Sequence, residues 1–244
     1  MRIRLLACEV LFRELCQCAA QARSIVDLTF LRRGLHSNPD SLRAEIQRLV
    51  DETDEEQVEA IALGYGLCSN GLAGLRARGI PLVLPRAHDC ITLLLGSREA
   101  YDALFAQRPG TYYYSGGWVE RGADKVPRTT EDGAGLDAPF EELVAKYGLD
   151  NAQYLWELQS SWIERYTHAT YIDTGVGDPT PTRAYTESVA REHGWVFENL
   201  PGQLRIMQDL LEGEWDENRF LVVPPGHEIV PTVDQRVVAA RPAC

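Results

Sequence analysis

Two strand-then-loop units constrain the fold more than any other part of this chain. They are residues 60–71 (AIALGYGLCSNG) and residues 81–96 (PLVLPRAHDCITLLLG). Each begins with a short apolar run typical of a buried strand, breaks at Gly or Pro, and places a cysteine just after the break. The carboxyl ends of neighbouring parallel strands meet at one edge of a sheet, where α/β proteins bind their ligands. We therefore expect Cys68 and Cys90 to lie at the same sheet edge.

A third cysteine occupies an equivalent position, because Cys8 ends the first apolar run, IRLLACEV. His88 stands two residues before Cys90, and side chains two apart share one side of an extended segment. Thiolate and imidazole are the ligands that zinc prefers in proteins. The sequence therefore predicts a metal site formed by Cys8, Cys68, Cys90 and His88. The metal is expected to be Zn²⁺ or, alternatively, a [4Fe–4S] cluster held by three thiolates with one open iron.

Two further cysteines fit a structural interpretation better. Cys16 and Cys18 fall in a helical pattern over residues 10–22, where they are separated by about 200° around the helix axis. They cannot bind one ion together while that helix stands. Cys18 lies on the apolar stripe and is expected to be a buried core residue.

Charge and hydropathy exclude several classes of protein. The formal net charge is −12, and the sequence lacks the clusters of Lys and Arg that bind nucleic acid or anionic membrane surfaces. The longest apolar runs are far shorter than a bilayer span. The segment MRIRLLACEV is too short before its first Glu to act as a secretory signal. We expect a cytoplasmic protein that acts on a small molecule.

Strands alternate with helices along the chain, which predicts an α/β protein with a mainly parallel sheet and helices on both faces. The chain is expected to form a single unit over residues 1–244, with two Rossmann-like lobes, 1–110 and 111–244, around a central crevice as the alternative. Strands are predicted at residues 3–8, 25–31, 58–63, 169–173, 195–198 and 219–223. Helices are predicted at residues 10–22, 97–107, 140–147 and 152–166, with another ended by Gly213, and residues 121–136 are expected to form a surface excursion.

A tyrosine-rich segment, GTYYYSGGWVE, is predicted to form either plain core or the wall of a pocket beside the metal. In the second interpretation Tyr112, Tyr114 and Trp118 bind the substrate. Arg86 stands two residues before His88, so it is expected to point to the same side and supply one cation. This combination favours a small anionic or amphipathic metabolite carrying a carboxylate or phosphate.

Three further residues are candidates for proton transfer. His227 follows the strand predicted at residues 219–223, in PPGHEI, and is therefore expected to lie at a strand end like the cysteines, as a base or as an alternative to His88 as metal ligand. Asp89 and Glu9 each stand beside one of the predicted cysteine ligands. Carboxylate and imidazole groups are the usual general acids and bases of enzymes.

Five motifs are spread along the chain: ACE at the first strand end, LGYGLCSNGL, PRAHDCITLLLGS, PGTYYYSGGWVE and VVPPGHEI. Together they resemble those of a bacterial and archaeal family, the domain of unknown function 1638, and the resemblance covers nearly the whole chain. It implies an association with corrinoid-dependent methyl transfer, and hence a corrinoid protein as a partner. In enzymes that methylate thiols, zinc bound by a His-x-Cys pair and a further Cys activates a thiolate. His88, Cys90 and either Cys68 or Cys8 match that set of ligand types.

Two classes of function remain open from the sequence. In the first, the protein is a metalloenzyme of methyltransferase or lyase/hydrolase type. In the second, it is a non-catalytic binding or carrier protein for a small ligand or a corrinoid, and the cysteines are simply packed.

Overall fold

Five strands form the larger sheet of the protein. The computed structural model describes residues 1–121 and 165–243, together with residues 144, 148, 149, 152 and 153. The strands of this first sheet are β1 (Arg2–Cys8), β2 (Ile25–Leu31), β3 (Ala60–Gly64), β4 (Leu82–Pro85) and β8 (Phe220–Val223). Their order is β2-β1-β3-β4-β8. The first four are parallel, and β8 runs antiparallel to β4.

A second sheet and a hairpin complete the β structure of the described residues. The second sheet has the order β5-β6-β7 and is parallel throughout. Its strands are β5 (Thr111–Tyr114), β6 (His168–Asp173) and β7 (Val196–Pro201), and the hairpin consists of β9 (His227–Pro231) and β10 (Val238–Pro242). The predicted α/β class with mainly parallel pairing is therefore confirmed. The hairpin was not predicted.

Helices connect the parallel strands. They are α1 (Phe12–Gln21), α2 (Pro39–Asp51), α3 (Cys90–Leu95), α4 (Arg98–Gln107), α5 (Gly116–Glu120), α6 (Thr180–His193) and α7 (Arg205–Glu212). Asn38 caps α2 by accepting a hydrogen bond from the amide of Ser41. Gly213 ends α7 in the left-handed conformation, at φ 81°, as the sequence predicted. The helices predicted at residues 140–147 and 152–166 and nearly all of the excursion at 121–136 lie outside the described residues.

The first sheet is covered on both faces, which explains its apolar strands. Alternate residues of β1 pack to opposite sides: Ile3 and Leu5 lie in a core with α1, α3 and α7, whereas Leu6 lies in a core with α2 and the hairpin. Cys18 is fully buried in the first of these cores, as predicted.

The two parallel sheets meet near their carboxyl edges. A Cβ atom added to Gly117, at the start of α5, would lie 1.8 Å from the carbonyl oxygen of Val10. The loop after β5 therefore lies directly against the loop after β1. A second link joins β6 to α1, because the hydroxyl of Thr174 donates a hydrogen bond of 2.9 Å to Oε1 of Glu14, which is only 2% exposed.

After β7 the chain returns to the first sheet, where α7 packs in its core and β8 pairs with β4. The first sheet thus contains strands from residues 2–85 and 220–223, and the second sheet contains strands from residues 111–201. No helix of the described residues is long and apolar enough to span a bilayer.

Candidate functional site

Three cysteines converge at the carboxyl edge of the first sheet. Cys8 is the last residue of β1, Cys68 lies in the loop after β3, and Cys90 is the first residue of α3, after β4. Because β1, β3 and β4 are consecutive neighbours in the sheet, these strand ends bring the three residues together. The negative charges of Cys8 and Cys68 each contribute to raising the pKa of Cys90. We call these three residues, which the strand order brings to one edge, the thiol cluster.

Backbone hydrogen bonds hold the second and third of these loops side by side. The amide of Leu67 donates to the carbonyl of Ala87 over 2.8 Å, and the amide of Cys68 donates to the carbonyl of His88 over 2.9 Å. A Cβ atom at Gly66 would lie only 2.5 Å from the backbone nitrogen of Asp89. Glycine is therefore required where the two loops touch.

Cys68 lies in an unusual backbone conformation. Cys68, Ser69 and Asn70 have positive φ angles of 47°, 53° and 67°, and the amide of Gly71 donates back to the carbonyl of Cys68 over 2.9 Å. Together they form one left-handed turn, which costs roughly 1–2 kcal/mol per non-glycine residue. Such strain persists only where the surrounding structure enforces it, and it is concentrated at functional sites.

All three thiols are poor acids in this environment. Burial, the largest cause, raises the pKa of Cys8 to about 11. Burial followed by the charge of Cys8 raises the pKa of Cys68 to about 12. For Cys90, burial and then the charges of Asp89, Cys8 and Cys68 raise the pKa well above its ordinary value. At neutral pH the thiol cluster is therefore protonated.

A tyrosine hydroxyl lies beside the thiols. Tyr65, between Gly64 at the end of β3 and Gly66, is 3% exposed. Its hydroxyl is buried and has no hydrogen-bond partner among the described residues. Burial and the charges of Cys8, Cys68 and Glu9 raise its pKa strongly. The hydroxyl of Tyr65 is thus a buried polar group beside the thiol cluster, and no described protein atom forms a hydrogen bond with it.

The thiols are near one another but are not gathered at coordination distance. Within the part of the chain that the structure describes, no group of three or more His, Cys, Asp or Glu side chains is arranged to hold a metal ion. The imidazole of His88 belongs to an exposed residue, in contrast to the buried and partly buried cysteines.

An aromatic cavity of about 300 Å³ reaches the thiol cluster at Cys90. We call it the tyrosine cavity. The described residues that line it are Val10, Asp89, Cys90, Ile91, Leu94, Tyr101, Phe105, Pro109, Thr111, Tyr112, Tyr113, Tyr114, Ser115, Trp118, Tyr166 and Ile172. The structure thus brings Tyr112, Tyr114 and Trp118 to one cavity together with Asp89 and Cys90.

Asp89 has two roles in this geometry. One carboxylate oxygen caps α3 by accepting from the amides of Ile91 and Thr92, and the other accepts a hydrogen bond of 3.2 Å from the hydroxyl of Tyr101. Burial raises the pKa of Asp89, although these hydrogen bonds offset part of the shift. The structure thus holds a carboxyl group in a fixed orientation beside Cys90.

Arg86 does not point into the tyrosine cavity, which corrects the expectation from its spacing to His88. Its guanidinium donates to the carbonyl oxygens of Glu217, Phe220, Arg236 and Val238. The amide of Ala87 donates to the carbonyl of Pro85 over 2.9 Å, so the chain turns at Arg86 and the period of two expected for an extended segment is lost.

His227 lies away from the thiol cluster, and the expectation that it shares their edge is wrong. Because β8 is antiparallel to β4, with Leu82 paired to Val223, the chain leaves β8 at the amino end of β4. There the carbonyl of His227 accepts from the amide of Ala77, and its ring donates to the carbonyl of Pro225 over 3.0 Å.

Glu9 is engaged in holding the loops around the thiol cluster. Its Oε1 accepts a hydrogen bond of 2.9 Å from the amide of Arg33, and its Oε2 lies 3.7 Å from Nη1 of Arg121. The guanidinium of Arg33 in turn stacks 4.5 Å from the ring centre of Trp118. These contacts join the loop after β2 to α5, which indicates an anchoring role for Glu9.

Sequence reasoning missed Tyr65, Tyr101 and Arg33 as members of this region. Tyr65 could have been recognised from the sequence, because the glycines on either side of it indicate close backbone packing at a strand end. Tyr101 and Arg33 carry no local signal, since each reaches the site from a different helix or loop.

Comparison with known proteins identifies a family but no individual relative. No curated protein and no solved structure matches the sequence. The sequence model of one family matches residues 30–211, which include β3, β4, all of the tyrosine-rich segment and two of the three clustered cysteines. The chain therefore belongs to the family described as protein of unknown function (DUF1638).

Proposed function

We propose that Cys8, Cys68 and Cys90 bind one soft metal centre and that the protein is a metal-dependent enzyme. Zn²⁺ is the first choice, and a [4Fe–4S] cluster with one open iron is the alternative. The observation that carries the proposal is the convergence of three thiols from three neighbouring strand ends, where each thiolate disfavours the next. A bound cation would reverse that repulsion.

The protonation of the thiols favours a metal over a free cysteine nucleophile. With a pKa of about 11, roughly one Cys8 thiol in ten thousand is ionised at pH 7. Nucleophilic cysteines have the opposite property, a pKa lowered by nearby positive charge. A metal ion displaces the thiol protons when it binds, so a high pKa in the free protein does not prevent coordination.

Binding requires the thiols to move together, since they are not at coordination distance in the described structure. The strained turn at Cys68–Asn70 is the part of the site that has conformational energy to release. His88 lies on the adjoining loop and, if it turned inward, would supply a nitrogen ligand. The hydroxyl of Tyr65 would supply a hydrogen bond to a bound thiolate.

The tyrosine cavity is the proposed substrate site, because it shares Cys90 with the thiol cluster. A metal at the cysteines would act as a Lewis acid on a thiol or water at the end of the cavity. Asp89 would hold or release the proton that the reaction moves, and the hydroxyl of Tyr101 would keep its carboxylate in position. We propose methyl transfer, with a corrinoid protein as partner, as the reaction class; lyase or hydrolase chemistry would use the same groups.

A non-catalytic function is the second candidate. It is favoured by one observation, that the three cysteines pack against the hydrophobic core while no described group is arranged to hold a metal. In that case the tyrosine cavity would bind a small ligand or part of a corrinoid without chemistry.

Metal analysis of protein purified without oxygen separates the two candidates. The enzyme proposal expects about one zinc per chain, or about four irons with absorbance near 400 nm. Protein that contains neither metal, and takes up neither on reconstitution, would support the binding function.

A further inference from the structure

The lining of the tyrosine cavity has an unusual balance of charge and aromatic surface. Six of its described residues are Tyr or Trp, and Phe105 adds a further ring. Asp89 is the single acidic group among them, and the described lining contains no Lys, Arg or His. A site for an anion would be expected to present a cation or the free amides of a helix N-terminus to its ligand. The start of α3 reaches the cavity, but Asp89 already accepts from its amides at Ile91 and Thr92.

Aromatic rings favour cations for a simple electrostatic reason. The face of each ring carries partial negative charge, so several rings around one space attract a positive group that is too large to be strongly hydrated. Cages of this kind bind quaternary ammonium groups in other proteins. The residues that line the tyrosine cavity include Tyr101 and Phe105 on α4 and Tyr112 and Tyr113 on β5, and Tyr114, which is 1% exposed, packs behind them.

The rings are already arranged around one another. The ring centres of Tyr101 and Tyr113 are 5.9 Å apart, and those of Tyr101 and Phe105 are 6.4 Å apart, both with edge-to-face geometry. On the other side of β5, the ring centres of Tyr112 and Tyr166 are 5.5 Å apart, also edge-to-face. Since Tyr112 lies on the opposite side of the strand from Tyr113, the rings fixed in advance on the side of Asp89 are those of Tyr101, Tyr113 and Phe105. Their packing limits the conformational entropy that is lost on binding.

Two arginines near the cavity are already engaged with other side chains, so the structure does not present them as partners for an anionic ligand. Arg108, close to Tyr113, forms an ion pair with Glu198. Arg33 stacks on Trp118 from the side of the loop after β2. The net charge of −12 adds a long-range field that attracts cations and repels anions.

We propose that the tyrosine cavity binds a small organic cation of the methylated ammonium class, with Asp89 as its counter-charge. This replaces the anionic ligand that Arg86 suggested from the sequence. The inference names the substrate class of the proposed enzyme, and it rests on that proposal for the step that follows binding. Binding of the cation itself needs no metal.

Three probes of nearly the same shape test the charge preference. Choline carries a trimethylammonium group, 3,3-dimethylbutanol has a neutral carbon in its place, and 3,3-dimethylbutanoate is an anion. Calorimetric titration of the full chain should show choline bound about tenfold or more tightly than the neutral alcohol, with the carboxylate weakest. Equal affinity for the first two, a preference for the carboxylate, or binding of none of them would overturn the inference.

Two variants locate the binding. Asp89→Asn keeps a residue that caps α3 well but removes the charge, so affinity for choline should fall about tenfold while affinity for the alcohol hardly changes. Phe105→Leu should also lower the affinity for choline. Because Phe105 is 55% exposed, this change should not affect folding. Phe12→Leu is the matched control, because Phe12 is 37% exposed and does not line the cavity.

Repeating the titration after treatment with a chelator separates this inference from the proposed function. Loss of metal with retained choline binding is expected. A metal-containing protein that shows no preference for choline would refute the cation site alone. A protein that is metal-free as purified and takes up no metal on reconstitution, yet binds choline, would refute the metal site alone.

Discussion

The backbone amide of Cys68 donates a hydrogen bond to the carbonyl oxygen of His88 over 2.9 Å. This bond joins the loop after β3 to the loop after β4. It therefore fixes Cys68 beside the loop that carries Asp89 and Cys90, whatever the two side chains bind. The position of the thiol cluster is a property of the backbone.

The first prediction concerns the metal content of cysteine variants. Cys8→Ser, Cys68→Ser and Cys90→Ser should each lose most of the bound metal, because removing one of three thiolates leaves too few ligands for a stable site. The measurement is metal per chain on folded, anaerobically purified protein. Cys16→Ser is the control, since Cys16 lies on α1 and is only partly buried. Full metal content in all three cluster variants would contradict the site.

The second prediction compares two adjacent glycines where the sheets meet. Gly117→Ala should lower the free energy of unfolding by about 2 to 3 kcal/mol, because the new methyl group would overlap the carbonyl of Val10. Gly116→Ala should change it by less than about 0.5 kcal/mol, since a Cβ atom there has no neighbour within 4 Å. Urea denaturation measures both. Equal stability of the two variants would show that the loops do not touch as described.

The third prediction uses the buried carboxyl of Glu14. Burial raises its pKa, so the folded protein keeps this proton to higher pH than the unfolded chain does. Below the pKa of Glu14 in the unfolded chain, the carboxyl is protonated in both states and does not lower the free energy of unfolding. The free energy of unfolding falls as the pH rises from there through the pKa of Glu14 in the folded protein, because the folded protein must then bury a charge. Glu14→Gln imitates the protonated form. It should match the wild type near about pH 4 and exceed it by about 1 kcal/mol or more near about pH 8.

Denaturation curves at the two pH values provide the measurement for Glu14→Gln. Glu56→Gln, on an exposed residue, serves as the control and should have little effect at either pH. A variant that is less stable than the wild type at high pH would indicate that Glu14 is ionised and paired in the folded protein.

The fourth prediction assigns a structural role to Arg86. Arg86→Ala should lower the free energy of unfolding by about 2 kcal/mol, because the carbonyls of Glu217, Phe220, Arg236 and Val238 lose a charged donor. Affinity for probes of the tyrosine cavity should stay unchanged. Arg32→Ala, on an exposed arginine, is the control for removing a positive charge. Weaker probe binding with unchanged stability would restore the role in substrate binding expected from the sequence.

Much of the thiol cluster could be predicted from the sequence because it depends on local signals. An apolar run that ends in Gly or Pro marks a strand end, and parallel strands place their ends together. This reasoning brought Cys8, Cys68 and Cys90 to one edge, where the structure has them. The aromatic segment of β5 was recognised as either wall or core, and Tyr114, which is 1% exposed, belongs to both.

The failures have a common physical origin, since they depend on strand direction and on turns that leave no local mark. Nothing in the apolar run of β8 indicates that it pairs antiparallel to β4, and that direction alone moves His227 to the opposite edge. One turn between Pro85 and Ala87 is enough to send the side chain of Arg86 toward β8 instead of the cysteines.

The pairing of β1 shows which residues are needed to complete the first sheet. The family match spans residues 30–211, yet β1 lies before it, β8 lies after it, and β2 is largely outside it. A chain trimmed to those residues would lack the strand that pairs with both β2 and β3, the strand that closes the sheet beside β4, and Cys8. The first sheet therefore extends at both ends beyond the stretch that the family model matches.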